Sequence, residues 1–600
     1  MKRFLKILGR IFPLIPAAMV IGVMMFPSSC ANTTSQPSGG KKDTIPPVIV
    51  GIRPLPGSTH VPLNTQIEIE FDEYVTVKDM KGIFLSPPQQ NAPKYRMKGK
   101  KLVVYFEEPL LENTTYTLDL NAAVADNNEG NMFPGFTLAF STGERIDSMV
   151  LTGTVRDCNT LQPIKGATVM LYKDHSDSAA MLHRPDAAVK TDSWGYFSIR
   201  NIQDTLYRVY AVVDEAGNNI YDLEADRIGF VDSLVRPVLV VSDTLKELLK
   251  YDMLDTAKCM ARRSEYEMVV FKERPTRQII KDSKRIDARS AYISFMASGA
   301  EIDSIWVKNV PSRNLIMQFN RERDSLELWI NDRRKAPDTL HVYVDYMKTD
   351  STRSLSPFTE HLRLVSEKKE STSKSSRKNL KHEDTTCVFK LSAEAELIEQ
   401  EGFSLLFNYP LIKEGFSKIS LTSVNPRQQE NPVKFSVTRD STNLRKYIIK
   451  PQEALQHGYD YIIKVPYREF RDINGYYNDS TQVKVRLPED DKLSLLSLEL
   501  SGVEHTYIID LLNEKRDKVL RSYHIDSDTT LDFPYLKKGK YSIRMTEDRN
   551  SNGLVDTGSI LEHRQPEKVI FFKLKDGSYV LDIPESTELV QQINLATLFE

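Results

Sequence analysis

Cysteine is scarce in this chain, with four residues among 600. Past Cys30 only Cys158, Cys259 and Cys387 remain, odd in number and widely spaced. That pattern excludes a disulfide framework and a cysteine zinc cluster. Tryptophan occurs only at positions 194, 306 and 329, and the ten histidines are scattered. No Gly-x-Ser-x-Gly, His-Glu-x-x-His, phosphate loop or dinucleotide fingerprint is present, so no enzyme class declares itself. An excess of one charge is missing too: 80 Lys and Arg stand against 82 Asp and Glu, a net charge of −2. Without a long basic run, nucleic acid is not expected as a partner. Helical periodicity is nearly absent. Hydrophobic residues make up 40% of the chain, enough for several cores but without a second membrane span.

What is present begins at the N-terminus. Lys2, Arg3, Lys6 and Arg10 form a positive region, Ile11 to Pro27 is apolar, and Pro27-Ser28-Ser29 leads to Cys30. Residues 31–40 are polar, rich in Ser, Thr, Gly and Asn, and suit a tether. The segment resembles a bacterial lipobox, although Pro27 departs from the larger aliphatic residue usual near that place. The resemblance implies a signal peptide over 1–29, acylation of Cys30, a tether over 30–44 and a membrane partner through the lipid. Residues 31–40 carry no Asp or Glu, which favours the periplasmic face of the outer membrane over the cell surface.

Downstream, apolar residues alternate with period two over short stretches bounded by turn residues. Ile67, Ile69 and Phe71 form one such set, Tyr116, Leu118 and Leu120 a second, and Phe136, Leu138 and Phe140 a third. Together with Pro56-Gly57-Ser58, Val61-Pro62 and the closing Phe140-Ser141-Thr142-Gly143, they resemble the bacterial Ig-like domain of envelope and surface-layer proteins. The resemblance implies a two-sheet sandwich over 45–143. Residues 148–245 follow a different grammar. Leu151 to Val155, Pro163 to Leu171, a turn at Asp192-Ser193-Trp194-Gly195, and Tyr207 to Val213 resemble the transthyretin-like, carboxypeptidase-regulatory-like sandwich. Gly195 there suits a turn that needs positive φ.

Both grammars return. Phe403, Leu405, Phe407, Tyr459, Tyr461 and Ile463 repeat the Ig-like alternation over 385–490, and a diverged copy spans 265–367. A Ser/Lys-rich, apolar-poor linker fills 368–384. The transthyretin-like grammar recurs over 492–582, followed by a C-terminal segment, 583–600. That segment is too apolar for a free tail and fits either a helix or a strand. It is expected to complete the core of the last module. The fold class is therefore all-β, five tandem sandwiches, and unlike sandwiches repeated along a chain read as a rod or stalk.

Two dispersed signals bear on function. Asp548, Asn550, Asn552, Gly553 and Asp556 space oxygen ligands around a sharp turn, as a calcium loop would, without its closing glutamate. Asp214, Asn218, Asn219 and Asp222 form a weaker counterpart, because Ala216 replaces a ligand. In both loops a tyrosine precedes the first Asp by seven residues and the last Asp follows it by eight. An Asx-rich hairpin turn accounts for the same residues without metal, so no cofactor, or calcium alone, is the expectation. The triplet Asp, Ser or Thr, then a small or aliphatic residue or Thr recurs along the chain. Its acceptors are Thr44, Ser148, Ser178, Thr205, Ser233, Thr244, Thr256, Ser304, Ser325, Thr339, Ser351, Thr385, Ser441, Ser480 and Thr529. Composition alone gives about two to four such triplets. The excess resembles the acceptor signal of periplasmic O-glycosylation, while Asp-Ser and Asp-Thr also begin turns. These features indicate a non-catalytic, lipid-anchored envelope scaffold with an envelope protein or glycan as partner. The alternative is a carbohydrate-binding lipoprotein of a glycan-uptake system, which would expose coplanar aromatic rings.

Overall fold

The computed structural model describes residues 43–120, 123–239, 266–331, 337–365, 386–395 and 398–600. The leader, Cys30, most of the tether, Cys259, the linker 368–384 and the acceptors Thr244, Thr256 and Thr385 lie outside them. The described chain is nearly all β, as the alternation predicts. Ile67, Ile69, Phe71, Tyr116, Leu118 and Leu120 all point into the first core. Phe403, Leu405 and Phe407 do the same in the fourth, while Ser404 and Leu406 between them are turned outward.

Five two-sheet modules use only two topologies. In the first module one sheet runs Ile49–Arg53, Ile67–Phe71, Lys101–Tyr105, Lys94–Lys98. The facing sheet runs Ile83–Ser86, Thr115–Leu120, Thr137–Ser141. The third module repeats this order with Ile280–Arg285, Ser290–Phe295, Ser325–Ile330, Leu315–Phe319 against Ile302–Val307, Thr339–Thr349, Leu355–Val365. The fourth repeats it again and adds one edge strand, Glu430–Pro432. A shared detail supports the likeness: the Tyr116 hydroxyl accepts the Leu111 N–H at 2.8 Å, and Tyr461 accepts the Gln456 N–H at 2.6 Å.

The second and fifth modules share the other topology. In the second, Tyr196–Ile202, Met149–Asp157 and Tyr266–Val270 form one sheet, facing Ala187–Lys190, Thr168–Tyr172, Arg208–Val213 and Arg227–Phe230. Tyr266–Val270 pairs in parallel with Met149–Asp157, so it belongs to the second module and not to a third one starting at 265. Gly153 permits this approach, since a Cβ there would stand 2.3 Å from the Tyr266 carbonyl oxygen. Gly195 has φ of 72° in the tight turn, as its sequence context requires. In the fifth module Glu588–Asn594 pairs in parallel with Ser494–Ser501 in the equivalent place. The C-terminal segment is thus a strand of the last sandwich, followed by a short helix, Leu595–Phe599, capped by the Asn594 side chain. The strand and helix readings each hold for part of it.

The expectation of a rod needs correction, because the chain folds back. The fifth module docks on the second through residues 557–566. Thr557 Oγ1 donates to the Lys272 carbonyl at 2.7 Å, and the Ile560 N–H donates to Glu273 Oε1 at 2.7 Å. Gln565 Nε2 donates to Asp232 at 2.8 Å and to the Phe230 carbonyl at 3.1 Å. Ile560 is only 1% exposed, in one cluster with Tyr221, Phe230 and Phe271 of the second module. Beside it, Arg544 holds the buried Asp510 in a two-pronged ion pair and reaches the Asn159 carbonyl of the second module. Further contacts join the first module to the second, the third to the fourth, and the fourth to the fifth. They are Ala188 N–H to Ser86 Oγ, Tyr409 OH to Asp287, and the His457 ring 5.2 Å from that of Tyr535. Modules two to five therefore close on themselves. A sequence of independent sandwiches does not encode that closure; the inserted arm does.

Candidate functional site

The two Asx loops are equivalent. Asp214 accepts the N–H of Gly217 at 2.6 Å and of Asn219 at 2.7 Å. Asp548 accepts those of Asn552 at 3.2 Å and Gly553 at 2.8 Å. A second acid closes each loop. Asp226 accepts from Glu215 N and Asp222 N, and Glu567 accepts from Arg549 N and Asp556 N. The closing acid stands four residues after Asp222 but eleven after Asp556, and the difference is the docking arm. Equal spacing from the tyrosine revealed the loops in the sequence, whereas the inserted arm hid their common closure.

In this arrangement the loop oxygens are engaged by hydrogen bonds within the loops. Asp556 Oδ2 accepts the side-chain amides of Asn550 and Asn552 at 2.6 and 2.9 Å. The oxygens of Asn550 and Asn552 accept from Asn552 N and Leu554 N. Asn218 Oδ1 is likewise taken by the N–H of Ile220. Arg274 stands 3.4 Å from Asp556 Oδ1 and supplies the positive charge that a cation would bring. Among the described residues no group of three or more His, Cys, Asp or Glu side chains is arranged to hold a metal. The loops act as hydrogen-bonded turns, and the later one positions the arm.

None of the twelve described glycosylation acceptors is buried. Thr44, Ser148, Ser233, Ser304, Ser351, Ser441 and Ser480 are exposed; Ser178, Thr205, Ser325, Thr339 and Thr529 are half-buried. The tryptophans do not make a platform. Trp329 is buried with Arg445 packed 5.2 Å above its ring, and Trp194 stands at a turn, 60% exposed. Trp306, Tyr343 and His361 lie side by side across one sheet of the third module, with ring centroids 5.2 and 4.5 Å apart. At those separations and near-parallel planes the rings stand as a stack across the sheet and not as one coplanar surface. Burial pushes the thiols of Cys158 and Cys387 up to about 12, so neither serves as a thiolate at neutral pH.

The cleft that does concentrate chemistry was not legible in the sequence. It lies between the first two modules, with a volume of about 540 Å³, within the range of small-molecule sites. Ile83–Ser86, Thr115–Leu120 and Thr137–Ser141 form one wall; Ala187–Lys190 and Tyr196–Ile202 form the other. Ala188 N–H to Ser86 Oγ at 3.0 Å and Asn201 Nδ2 to Thr117 Oγ1 at 3.3 Å hold the walls together. On its floor Asp119 is 5% exposed and accepts the Thr137 hydroxyl at 2.7 Å. Burial pushes its carboxyl up to about 6, against the Thr137 hydrogen bond and the Arg200 charge that pull it down. The folded state therefore holds the proton more tightly than the unfolded chain. Ionised Asp119 costs stability above about pH 6, and the cost vanishes as pH falls through the unfolded value near 4. Asp119→Asn is expected to stabilise the first module at pH 8 by on the order of 2 kcal/mol. It should leave stability nearly unchanged at pH 4. Melting curves at both pH values check this, and an equal shift at both would remove the titration from the explanation.

Comparison with known proteins places one module firmly. Residues 43–142 match the model of the bacterial Ig-like domain. No curated protein matches the chain. Among solved structures, domains 1–6 of the surface layer protein SbsC are 10% identical, with 86% of this chain and 67% of that one covered and a TM-score of 0.13. BcpA, the major pilin subunit of Bacillus cereus, is 9% identical, with 75% and 99% covered and a TM-score of 0.15. The MG0-NIE-MG1 domains of native alpha-2-macroglobulin from Escherichia coli are 11% identical, with 33% and 96% covered and a TM-score of 0.15.

Proposed function

We propose that this chain is a non-catalytic, lipid-anchored scaffold of the cell envelope. The observation that carries the reading is the run from the positive N-terminus through the apolar stretch to Cys30, followed by a polar tether and, among the described residues, by two-sheet sandwiches. The Ig-like first module supports it, since such a sandwich can supply spacing and binding surface. Modules two and five serve as transthyretin-like units in this scheme. Acylated Cys30 anchors the chain at the periplasmic face of the outer membrane. The Asp-Ser and Asp-Thr triplets, none buried where described, serve as O-glycan acceptors.

Cys30→Ser tests the anchor. One acyl chain binds a bilayer only marginally, whereas several bind it durably. The variant is expected to leave the membrane fraction and to lack the mass of the lipid. A variant that stays in the membrane fraction with unchanged mass overturns the anchor. Protease added to intact cells should leave the unmodified protein whole, and release of the modules would move it to the cell surface.

A further inference from the structure

We propose that the cleft between the first two modules binds a short acidic saccharide, with its carboxylate held by Lys190 and Lys81 and its hydroxyls by Asp119 and neighbouring hydroxyl groups. The first argument is charge. Lys81 comes from a single 3-10 turn of the first module, and Lys190 ends a strand of the second; both line the same cleft. Lys190 is half-buried and packs 5.7 Å from the Phe84 ring centroid, with no ion pair among the described residues. Burial and then the Lys81 charge push its ammonium below the usual lysine range; Asp214 and Asp79 act on it the other way. Two cations brought together from different modules, one of them desolvated, are what a bound anion would stabilise. Lys165 at the rim adds a third positive group.

The second argument is the rest of the lining. Asp119 accepts the Thr137 hydroxyl at the floor, and the lining Ser86 and Thr117 hydroxyls, which accept from Ala188 and Asn201 across the cleft, keep their own protons to donate. Tyr196, Val189 and Ile199 give apolar surface between the polar groups. Carboxylate, hydroxyls and C–H faces occur together in a uronic-acid sugar, and the cleft volume suits a few such units. A simple anion such as phosphate would use the lysines and leave Asp119 facing a like charge. A site of this kind gives the scaffold a ligand, and it stands whether or not Cys30 is acylated.

Calorimetric titration of the full chain with trigalacturonate, with galactotriose and inorganic phosphate as controls, tests this. Trigalacturonate is expected to bind, galactotriose at least about tenfold more weakly, and Lys190→Gln to weaken the acid by about tenfold. Asp119→Asn should also weaken trigalacturonate. Lys573→Gln, in the fifth module, should change nothing. Absence of binding at millimolar trigalacturonate overturns the proposal. So does equal binding of the neutral sugar, binding indifferent to Lys190→Gln, or phosphate binding as tightly as the acid sugar. Tm measurements on each variant separate loss of binding from loss of fold. Fractionation of Cys30→Ser reports independently on the anchor.

Discussion

Ile560→Asp is expected to release the fifth module from the second and to lengthen the molecule without unfolding either. Ile560 sits among Tyr221, Phe230 and Phe271, and its burial contributes about 2–3 kcal/mol. An aspartate there loses that term and brings a carboxylate beside Glu273, already buried and bonded to the Tyr221 hydroxyl at 2.7 Å. Two buried acids without a cation cost several kcal/mol more. The remaining contacts are hydrogen bonds worth about 1 kcal/mol each, the His563 ring 5.1 Å from that of Phe230, and Leu161 packed on Leu512, Val569 and Phe571. Small-angle scattering should show a larger radius of gyration, and protease should cut within 557–566. The neighbouring Leu561 is 49% exposed, so Leu561→Asp should leave the shape unchanged. An unchanged radius for Ile560→Asp would mean that the other contacts hold the ring shut.

The arm also shows where sequence reading stops. Period-two alternation exposed the strands because each sheet has one buried face, and Ile67, Ile69 and Phe71 repeat that rule at Phe403, Leu405 and Phe407. Nothing local marks 557–566. Its apolar pair, Ile560 and Leu561, has no period, and its partners stand roughly 300 residues upstream. The parallel strand Tyr266–Val270 was hidden for the same reason: its pairing partner begins at Met149, so length along the chain suggested a new module instead. Gly153, which makes room for that strand, reads in the sequence as any strand glycine.

The cleft was illegible in a different way. Lys190 follows Ala187-Ala188-Val189, and its side chain reads as a solvated strand end. Only the docking of Ser86 against Ala188 turns that end inward and brings Lys81 beside it. Charge that is ordinary on each module alone becomes a site when two modules meet. The Asx loops lie between these cases: their Asp, Asn and Gly pattern was visible, but Arg274, remote in sequence, and Glu567, set off by the inserted arm, were not.

Deleting the chain after Pro584 is expected to unfold the fifth module and, with it, the docking on the second. The deletion removes the strand Glu588–Asn594, seven residues in register with Ser494–Ser501. It removes the buried Ile593 and Leu595 and the partly buried Leu589, Leu598 and Phe599 from one core. Their burial contributes about 6–8 kcal/mol, comparable to the whole stability of a typical domain. The loss also bares the N–H and C=O groups of Ser494–Ser501, which become an unpaired sheet edge. Calorimetry of the full chain should therefore lose one transition, while the first module keeps its own. Leu595→Ala, a smaller cavity of about 2–5 kcal/mol, should lower that same transition without abolishing it. If the truncated chain melts as the intact one does, the segment adds nothing to the core and instead serves a partner. The graded pair then separates the two roles, because a docking peptide would leave Leu595→Ala silent in the melting curve as well.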